Sequence, residues 1–307
     1  MTRILVTGGA GFIGSKLADA LIGEGNQVTI IDNLSTGKIE NVNPDAKFIE
    51  MDIRDAEVSK VFEDGGFDIV FHEAAQIDLR ESVATPIENL RINLEGSLNL
   101  LESARRHGVK KFIFASTGGV IYGNQEVFPA PESHPTKPIS PYAVSKLAFE
   151  HYMFMYSYQF QMDCIALRYA NVYGPRQNPF GEAGVIAIFA EQILRNKQPY
   201  INGDGKQTRD YVYIDDVVSA NQKAIALKGF NAVNIGTGVE TSVLSIFSTI
   251  KHLTGTDIEV EHRPEAVGDQ RRSSIDPALA NELLDWKPNV EIEEGIRRTV
   301  EYFRQVR

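Results

Sequence analysis

The apolar run Arg3–Thr7 passes directly into Thr7-Gly8-Gly9-Ala10-Gly11-Phe12-Ile13-Gly14, and Phe12, Ile13, Leu17 and Leu21 then recur at helical spacing over residues 11–23. Strand, glycine turn and helix in this order constrain the chain more than any other segment. Small residues at the turn let the backbone approach a pyrophosphate at the helix N-terminus, where unpaired N–H groups point outward. The next strand, Gln27–Asp32, ends in a carboxylate 24 residues after Gly8. There it can accept both hydroxyls of an adenosine ribose and would repel a 2′-phosphate. The pattern therefore predicts an NAD site rather than an NADP site, lined by Gly8, Gly11, Phe12, Ile13 and Asp32. Glycines alone are weak evidence; the agreement of strand, helix and acidic residue carries the reading.

Further short apolar runs, Lys47–Glu50, Ile69–His72 and 111–115, alternate with helical patterns. The longest helical patterns are 86–107, with Leu90, Leu94, Leu98 and Leu101, and 141–159, which feeds a strand at 163–168. This alternation predicts βαβ units around a parallel sheet, an α/β doubly wound fold of the Rossmann type. Beyond about residue 174 longer loops separate helices at 185–195, 242–253, 276–284 and 292–304. We expect an NAD-binding domain over 1–174 and a smaller lobe over 175–307, with segments such as 232–235 returning to the main sheet. Asp52 and Ile53, after the third strand, are placed to hold adenine through carboxylate and backbone, a helix-capping aspartate being the competing reading. Ala74 and Ala75, past the fourth strand, are small enough for a cofactor to lie across the sheet edge.

Bulk properties exclude several classes. The net charge of −10 disfavours nucleic acid, whose binding depends on Lys and Arg neutralising phosphates, but leaves room for a small anionic ligand. The single cysteine, Cys164, sits in an apolar run and can form no internal disulfide, which suits a reducing cytoplasm. The start of the chain goes straight into a strand with no export signal in view, and no apolar stretch approaches a membrane span. The six histidines lack metal-ligand spacing, so no metal site is expected.

Tyr142 and Lys146 stand at i and i+4 on one helix face. Tyrosine ionises near pH ~10, and a close positive charge moves it toward working pH. Such a pair is common by chance, and its position gives it meaning. It lies 25 residues after Thr117, at the end of the fifth strand, and ligands of doubly wound sheets collect at C-terminal strand ends. A hydroxyl of Ser116 or Thr117 can therefore face the same substrate atom as Tyr142.

At this point the chain resembles the extended short-chain dehydrogenases/reductases, most closely the UDP-glucose 4-epimerase branch, over nearly its whole length. The matching pieces are the glycine loop, Asp32-Asn33 with the four residues after it, Asp52-Ile53, His72-Glu-Ala-Ala-Gln76, Asn93, 116–123, 142–146, 168–175, 203–210 and Gly268-Asp269. The resemblance implies that Tyr142 is the general base, that Lys146 holds the nicotinamide ribose and tunes the tyrosine, and that Thr117, in preference to Ser116, relays the proton of sugar O4. Asn33 joins Asp32 in the cofactor set. Asn171 would contact the substrate diphosphate, Tyr200 and Asn202 uracil, Arg209 a phosphate and Asp269 the uridine ribose. A second phosphate-binding arginine usual in the family is replaced by Ala266, leaving Arg263 or Arg271 as substitutes. The family also implies a homodimer through 86–107 and 141–159.

The implied reaction is inversion at C4 of a UDP-hexose through a 4-keto sugar. A dehydratase of the same family would carry Asp-Glu after the threonine, where this chain has Gly118-Gly119. A decarboxylase, a 4-epimerase of a sugar acid and a non-catalytic dinucleotide-binding regulator are further alternatives. Ser273, four residues after Asp269, falls where the family walls the pocket at the sugar C2 substituent, and a serine there leaves room for an acetamido group.

Overall fold

The structure is a computed structural model and describes residues 1–180, 184–265 and 270–306. In chain order the first half holds β1 (Arg3–Thr7), α1 (Phe12–Gly23), β2 (Gln27–Asp32), β3 (Lys47–Glu50), α2 (Val58–Gly65), β4 (Ile69–His72), α3 (Leu79–Ala84), α4 (Pro86–Leu90), α5 (Gly96–Arg106), β5 (Lys111–Thr117) and α6 (Pro141–Phe160). The second half holds β6 (Asp163–Tyr169), β7 (Asn171–Tyr173), α7 (Val185–Leu194), β8 (Tyr200–Asn202), β9 (Thr208–Tyr213), α8 (Ile214–Ala224), β10 (Phe230–Ile235), β11 (Glu240–Ser242), α9 (Val243–Thr254), β12 (Glu261–Arg263), α10 (Ala278–Leu284) and α11 (Ile292–Gln305).

The described residues form a seven-stranded parallel sheet in the order β10-β6-β5-β4-β1-β2-β3, a three-stranded sheet β11-β9-β7 and a two-stranded sheet β12-β8. Strand residues alternate between two apolar layers: Ile4 and Val6 join Leu17, Leu21 and Ile113 on one face, whereas Leu5 joins Val70, Phe112, Phe114 and Phe149 on the other. Burial on both faces explains the nearly continuous apolar strands. From β1 the chain proceeds to β2 and β3 on one side and to β4, β5 and β6 on the other. The loops leaving β1 and β4 thus diverge and open a crevice at the C-terminal strand ends.

The helical pattern over 86–107 is not one α-helix. A turn of π-helix at Arg91–Glu95 separates α4 from α5. The wider turn lets the buried Asn93 accept from the Gln76 amide and donate to the Gln76 carbonyl, both at 2.8 Å. It also seats Gly96 where a Cβ would lie 2.8 Å from Ile53. The apolar spacing of the leucines carries no sign of it, because one added residue per turn leaves the buried stripe readable as helix. Strand β5 runs two residues past its expected end, pairing Ser116 with Arg168 and Thr117 with Tyr169. Among the described residues, no helix is long and apolar enough to cross a membrane, and no group of three or more His, Cys, Asp and Glu could hold a metal ion.

Candidate active site

The turn after β1 is built for close approach. Gly8 has φ of 72°, and a Cβ there would lie 2.6 Å from the amide nitrogen of Ala74, while a Cβ on Gly14 would lie 2.2 Å from the Gly8 carbonyl oxygen. Loop, α1 and the segment after β4 therefore meet backbone to backbone, with Phe12 and Ile13 opening α1 and Ala75 partly exposed beside Ala74. Thr7 is tied to the His72 ring at 2.7 Å, and the other ring nitrogen to Ser97 at 2.7 Å, whose hydroxyl donates to Asn93 O at 2.6 Å. Burial pushes this histidine well below its ordinary range, so the linkage is between neutral groups.

Asp32 accepts from Ala10 N (3.0 Å) and Leu34 N (2.8 Å), one amide on each oxygen. A carboxylate has about four acceptor sites, so each oxygen retains one for a diol, and the cleft fits an adenosine ribose. Asp52 is differently placed. Its carboxylate takes the Arg54 amide, the Arg54 guanidinium on both oxygens and Asn33 Nδ2, each at 2.9 Å, and Arg54 holds it down at about 2. Both Asp52 oxygens are thus engaged within the chain, and Asn33 joins the two loops. Ile53 is buried beside Gly96.

Helix α6 begins at Ser140, whose hydroxyl caps Ala143 N, followed by Pro141 at the first helical position. This fixes Tyr142 in the first turn and Lys146 one turn on. Lys146 donates to Ala115 O at 2.7 Å and lies 4.5 Å over the Phe114 ring. Burial pushes its ammonium down to about 8 against the pull of Glu73 and Glu150. The Tyr142 hydroxyl is hydrogen-bonded to Thr117, and burial, reinforced by Glu73, drives it well above the usual tyrosine range. The ammonium stands 5.8 Å from the centre of the Tyr142 ring, with two of its three donors left beyond the bond to Ala115.

Neighbouring strand residues face opposite sides, so Ser116 and Thr117 cannot both serve Tyr142. The structure brings Thr117 to it and turns Ser116 onto Glu150, which pairs with Arg168 at 2.7 Å in a buried cluster. Gly119 lies in the open beyond Thr117, where a Cβ would have Asn171 Oδ1 at 3.6 Å and Thr117 Oγ1 at 3.9 Å. The Ser273 hydroxyl, in a residue only 2 % exposed, donates to the Gly119 carbonyl at 3.2 Å. Thr117, Tyr142, Asn171 and Ser273 are thereby gathered around one loop.

The remaining expected residues occupy the small sheets. Tyr200 and Asn202 pair with Glu261 and Arg263, and the Arg263 guanidinium lies 3.7 Å over the Tyr200 ring. Arg209 on β9 is partly exposed and donates to Thr208 O at 2.8 Å. Of the substitutes for the missing arginine, Arg271 is bound in bidentate fashion to Asp204 at 2.7 and 2.8 Å, and Arg263 is turned onto Tyr200 and Glu261. Asp269 and Ala266 lie outside the described residues.

Residues 4–236 match the family model described as the NAD dependent epimerase/dehydratase family. The chain belongs to this family. Among its relatives, a putative UDP-glucose 4-epimerase of Methanocaldococcus jannaschii is 45% identical over 98% of both chains. The UDP-glucose 4-epimerase of Thermotoga maritima, solved with UDP-glucose, is 49% identical with a TM-score of 0.97 over 99% of both chains. A UDP-N-acetylglucosamine 4-epimerase of Methanobrevibacter ruminantium, solved with UDP-N-acetylmuramic acid, is 36% identical with a TM-score of 0.94 over 100% of this chain and 99% of its own.

Two groups near the centre of this family site were not singled out from the sequence. Glu73 accepts from the Tyr169 hydroxyl at 3.2 Å, and Glu150 with Arg168 anchors Ser116. An acid one residue past a buried strand reads as a loop residue, and only the sheet order shows that Tyr169 stands two strands away.

Proposed function

We propose that the chain inverts C4 of a UDP-hexose, interconverting UDP-glucose and UDP-galactose, with NAD as its cofactor. The observation that carries this reading is the pairing of Thr117 with Tyr142 at the C-terminal end of β5, one helix turn from Lys146 and opening beside a cleft whose Asp32 retains acceptors for a ribose. When bound, NAD supplies an acceptor and donor of hydride for the sugar C4, so the alcohol passes through a ketone and back. Tyr142 takes the O4 proton and returns it, with Thr117 joining the two oxygens. Lys146 holds the nicotinamide ribose and lends positive charge. Arg209 and Asn171 clamp the diphosphate while the hexose turns over, a guanidinium fork matching phosphate oxygens. Tyr200 and Asn202 hold uracil, and Asp269 the uridine ribose.

Gly118 and Gly119 weigh against a dehydratase, because position 119 opens beside Thr117 and carries no acid. The chain's buried Ser273, set on the loop that also presents Thr117, supports a wider pocket that admits the N-acetylated pair as well. Exposed apolar side chains on α4 and α6, including Ile87, Leu90, Val144, Phe154 and Tyr158, support a homodimer through these helices. The lone, buried Cys164 is consistent with a cytoplasmic protein. Incubating the purified protein with a panel of UDP-sugars, with products identified by NMR, tests the reading: conversion of UDP-glucose to UDP-galactose is expected, and the absence of any C4 inversion would overturn it.

A further inference from the structure

The proposed mechanism leaves one buried ion pair unused. Glu150 stands about two turns along α6 from Tyr142 and one from Lys146, and the spacing of four residues puts all three side chains on one face of the helix. This face meets the end of β5 at three consecutive residues. Lys146 donates to Ala115 O at 2.7 Å, Glu150 accepts from the Ser116 hydroxyl, and the Tyr142 hydroxyl is hydrogen-bonded to Thr117.

Arg168 reaches the same carboxylate from β6. It is the partner of Ser116 in the sheet register, and it donates to Glu150 from Nε at 3.1 Å and from Nη2 at 2.7 Å. Its Nη1 donates to the Tyr122 hydroxyl at 3.0 Å, which donates to Asn234 Oδ1 at 2.7 Å, Asn234 donating in turn to Ala130 O at 3.0 Å. Tyr122 lies in the loop that runs on from Thr117 through Gly118 and Gly119. One guanidinium thus ties α6, β6 and the loop after β5 together. Ser116, Tyr122, Glu150, Arg168 and Asn234 are all buried.

Stability alone is a weak reason for such a pair, because burying it desolvates both charges, and apolar side chains of similar volume in its place are often neutral or stabilising. What apolar packing lacks is direction. The planar fork of Arg168 fixes distance and angle on a carboxylate, and the Ser116 bond fixes the height of α6 against β5. Tyr142 lies about 12 Å along the helix axis from Glu150, so a small slide or rotation at Glu150 reaches the phenol. We propose that Glu150 and Arg168 are positioning residues for the reaction: the pair, joined to β5 through Ser116, sets the approach of α6 to the strand end so that Tyr142 meets Thr117. This rests on the reading of Tyr142 as the base.

The experiment compares the full-length wild type with Ser116→Ala and with the double substitution Glu150→Leu/Arg168→Met. The double variant removes both charges together and leaves no unpaired ion in the core; Ser116→Ala keeps the ion pair and cuts its hold on β5. Since a misplacement of about 1 Å can cost roughly 10²-fold in rate, kcat for UDP-galactose should fall ~10²-fold in the double variant. KM, bound NAD and Tm should stay close to wild type, because the reacting geometry alone is disturbed. Ser116→Ala should show the same split at roughly tenfold, and it decides alone if the double variant does not fold. Crystal structures of the variants should show the Tyr142 hydroxyl drawn beyond ~3.5 Å from that of Thr117. Wild-type kcat in either folded variant, or a loss of kcat that tracks a loss of Tm or of NAD, would overturn the proposal. If the wild type inverts no UDP-sugar, the crystal structures still decide: an unmoved Tyr142 refutes the positioning role, and a displaced one leaves it standing without the proposed reaction.

Discussion

Adjacent glycines after Thr117 should answer oppositely to the same substitution. At Gly118 an added Cβ would lie 2.5 Å from Ile275 Cδ1 and 3.1 Å from the Arg168 carbonyl oxygen. Ile275 is only 1 % exposed and has little room to move. Overpacking of this kind costs about 1–3 kcal/mol, and the stiffer unfolded chain offsets about 0.4–1 kcal/mol of it. Gly118→Ala should therefore lose ~1–2 kcal/mol. With an unfolding entropy of about 2.1 cal/mol/K per residue over 307 residues, that is a fall in Tm of ~2–3 °C. At Gly119 the nearest atoms would be 3.6 and 3.9 Å away, ordinary contact, so Gly119→Ala should melt at or slightly above the wild-type temperature. Its methyl instead stands near Asn171 and Thr117, the space in which the proposed mechanism turns the hexose, and kcat/KM for UDP-glucose should drop roughly tenfold, about 1.4 kcal/mol of transition-state stabilisation. Calorimetry and steady-state kinetics on both variants separate the effects. A Tm loss at 119 equal to that at 118 would refute the packing argument, and wild-type turnover in Gly119→Ala would show that the sugar does not use this space.

Tyr142→Phe should keep the fold and bound NAD while turnover falls roughly 10²–10⁴-fold, since the ring remains and the proton acceptor is gone; near-normal kcat would contradict the assignment. Cofactor-stripped protein should prefer NAD to NADP in a binding titration, because Asp32 would face a 2′-phosphate with like charge, and equal affinities would show that Asp32 does not meet the ribose. Ser273→Tyr should lower the turnover of UDP-N-acetylglucosamine relative to UDP-glucose by filling the pocket wall, and an unchanged ratio would remove Ser273 from that role.

The cofactor half of the site was legible because its constraints are local: Gly8 must have positive φ, Gly14 must touch Gly8, and Asp32 must end the second strand. The choice between Ser116 and Thr117 was not, since both are hydroxyls at one strand end and only the facing of β5 against Glu150 on one side and Tyr142 on the other separates them. The partners of Asp52 were not legible for a related reason: Arg54 and Asn33 meet its carboxylate through loop geometry that spacing does not encode. The π-helical turn at Arg91–Glu95 and the three-residue strands β7, β8, β11 and β12 fall below the length at which periodicity distinguishes structures. Glu73 was invisible because its partner Tyr169 comes 96 residues later in the chain.

In the proposed reaction the C4 hydrogen leaves as hydride and returns to the same carbon within the site formed by Tyr142 and Thr117. Incubating the protein with UDP-galactose in deuterium oxide and reading the product by proton NMR tests it directly. UDP-glucose that retains its C4 proton and carries no deuterium at C5 is expected. Deuterium at either carbon, or no inversion at all, would contradict it.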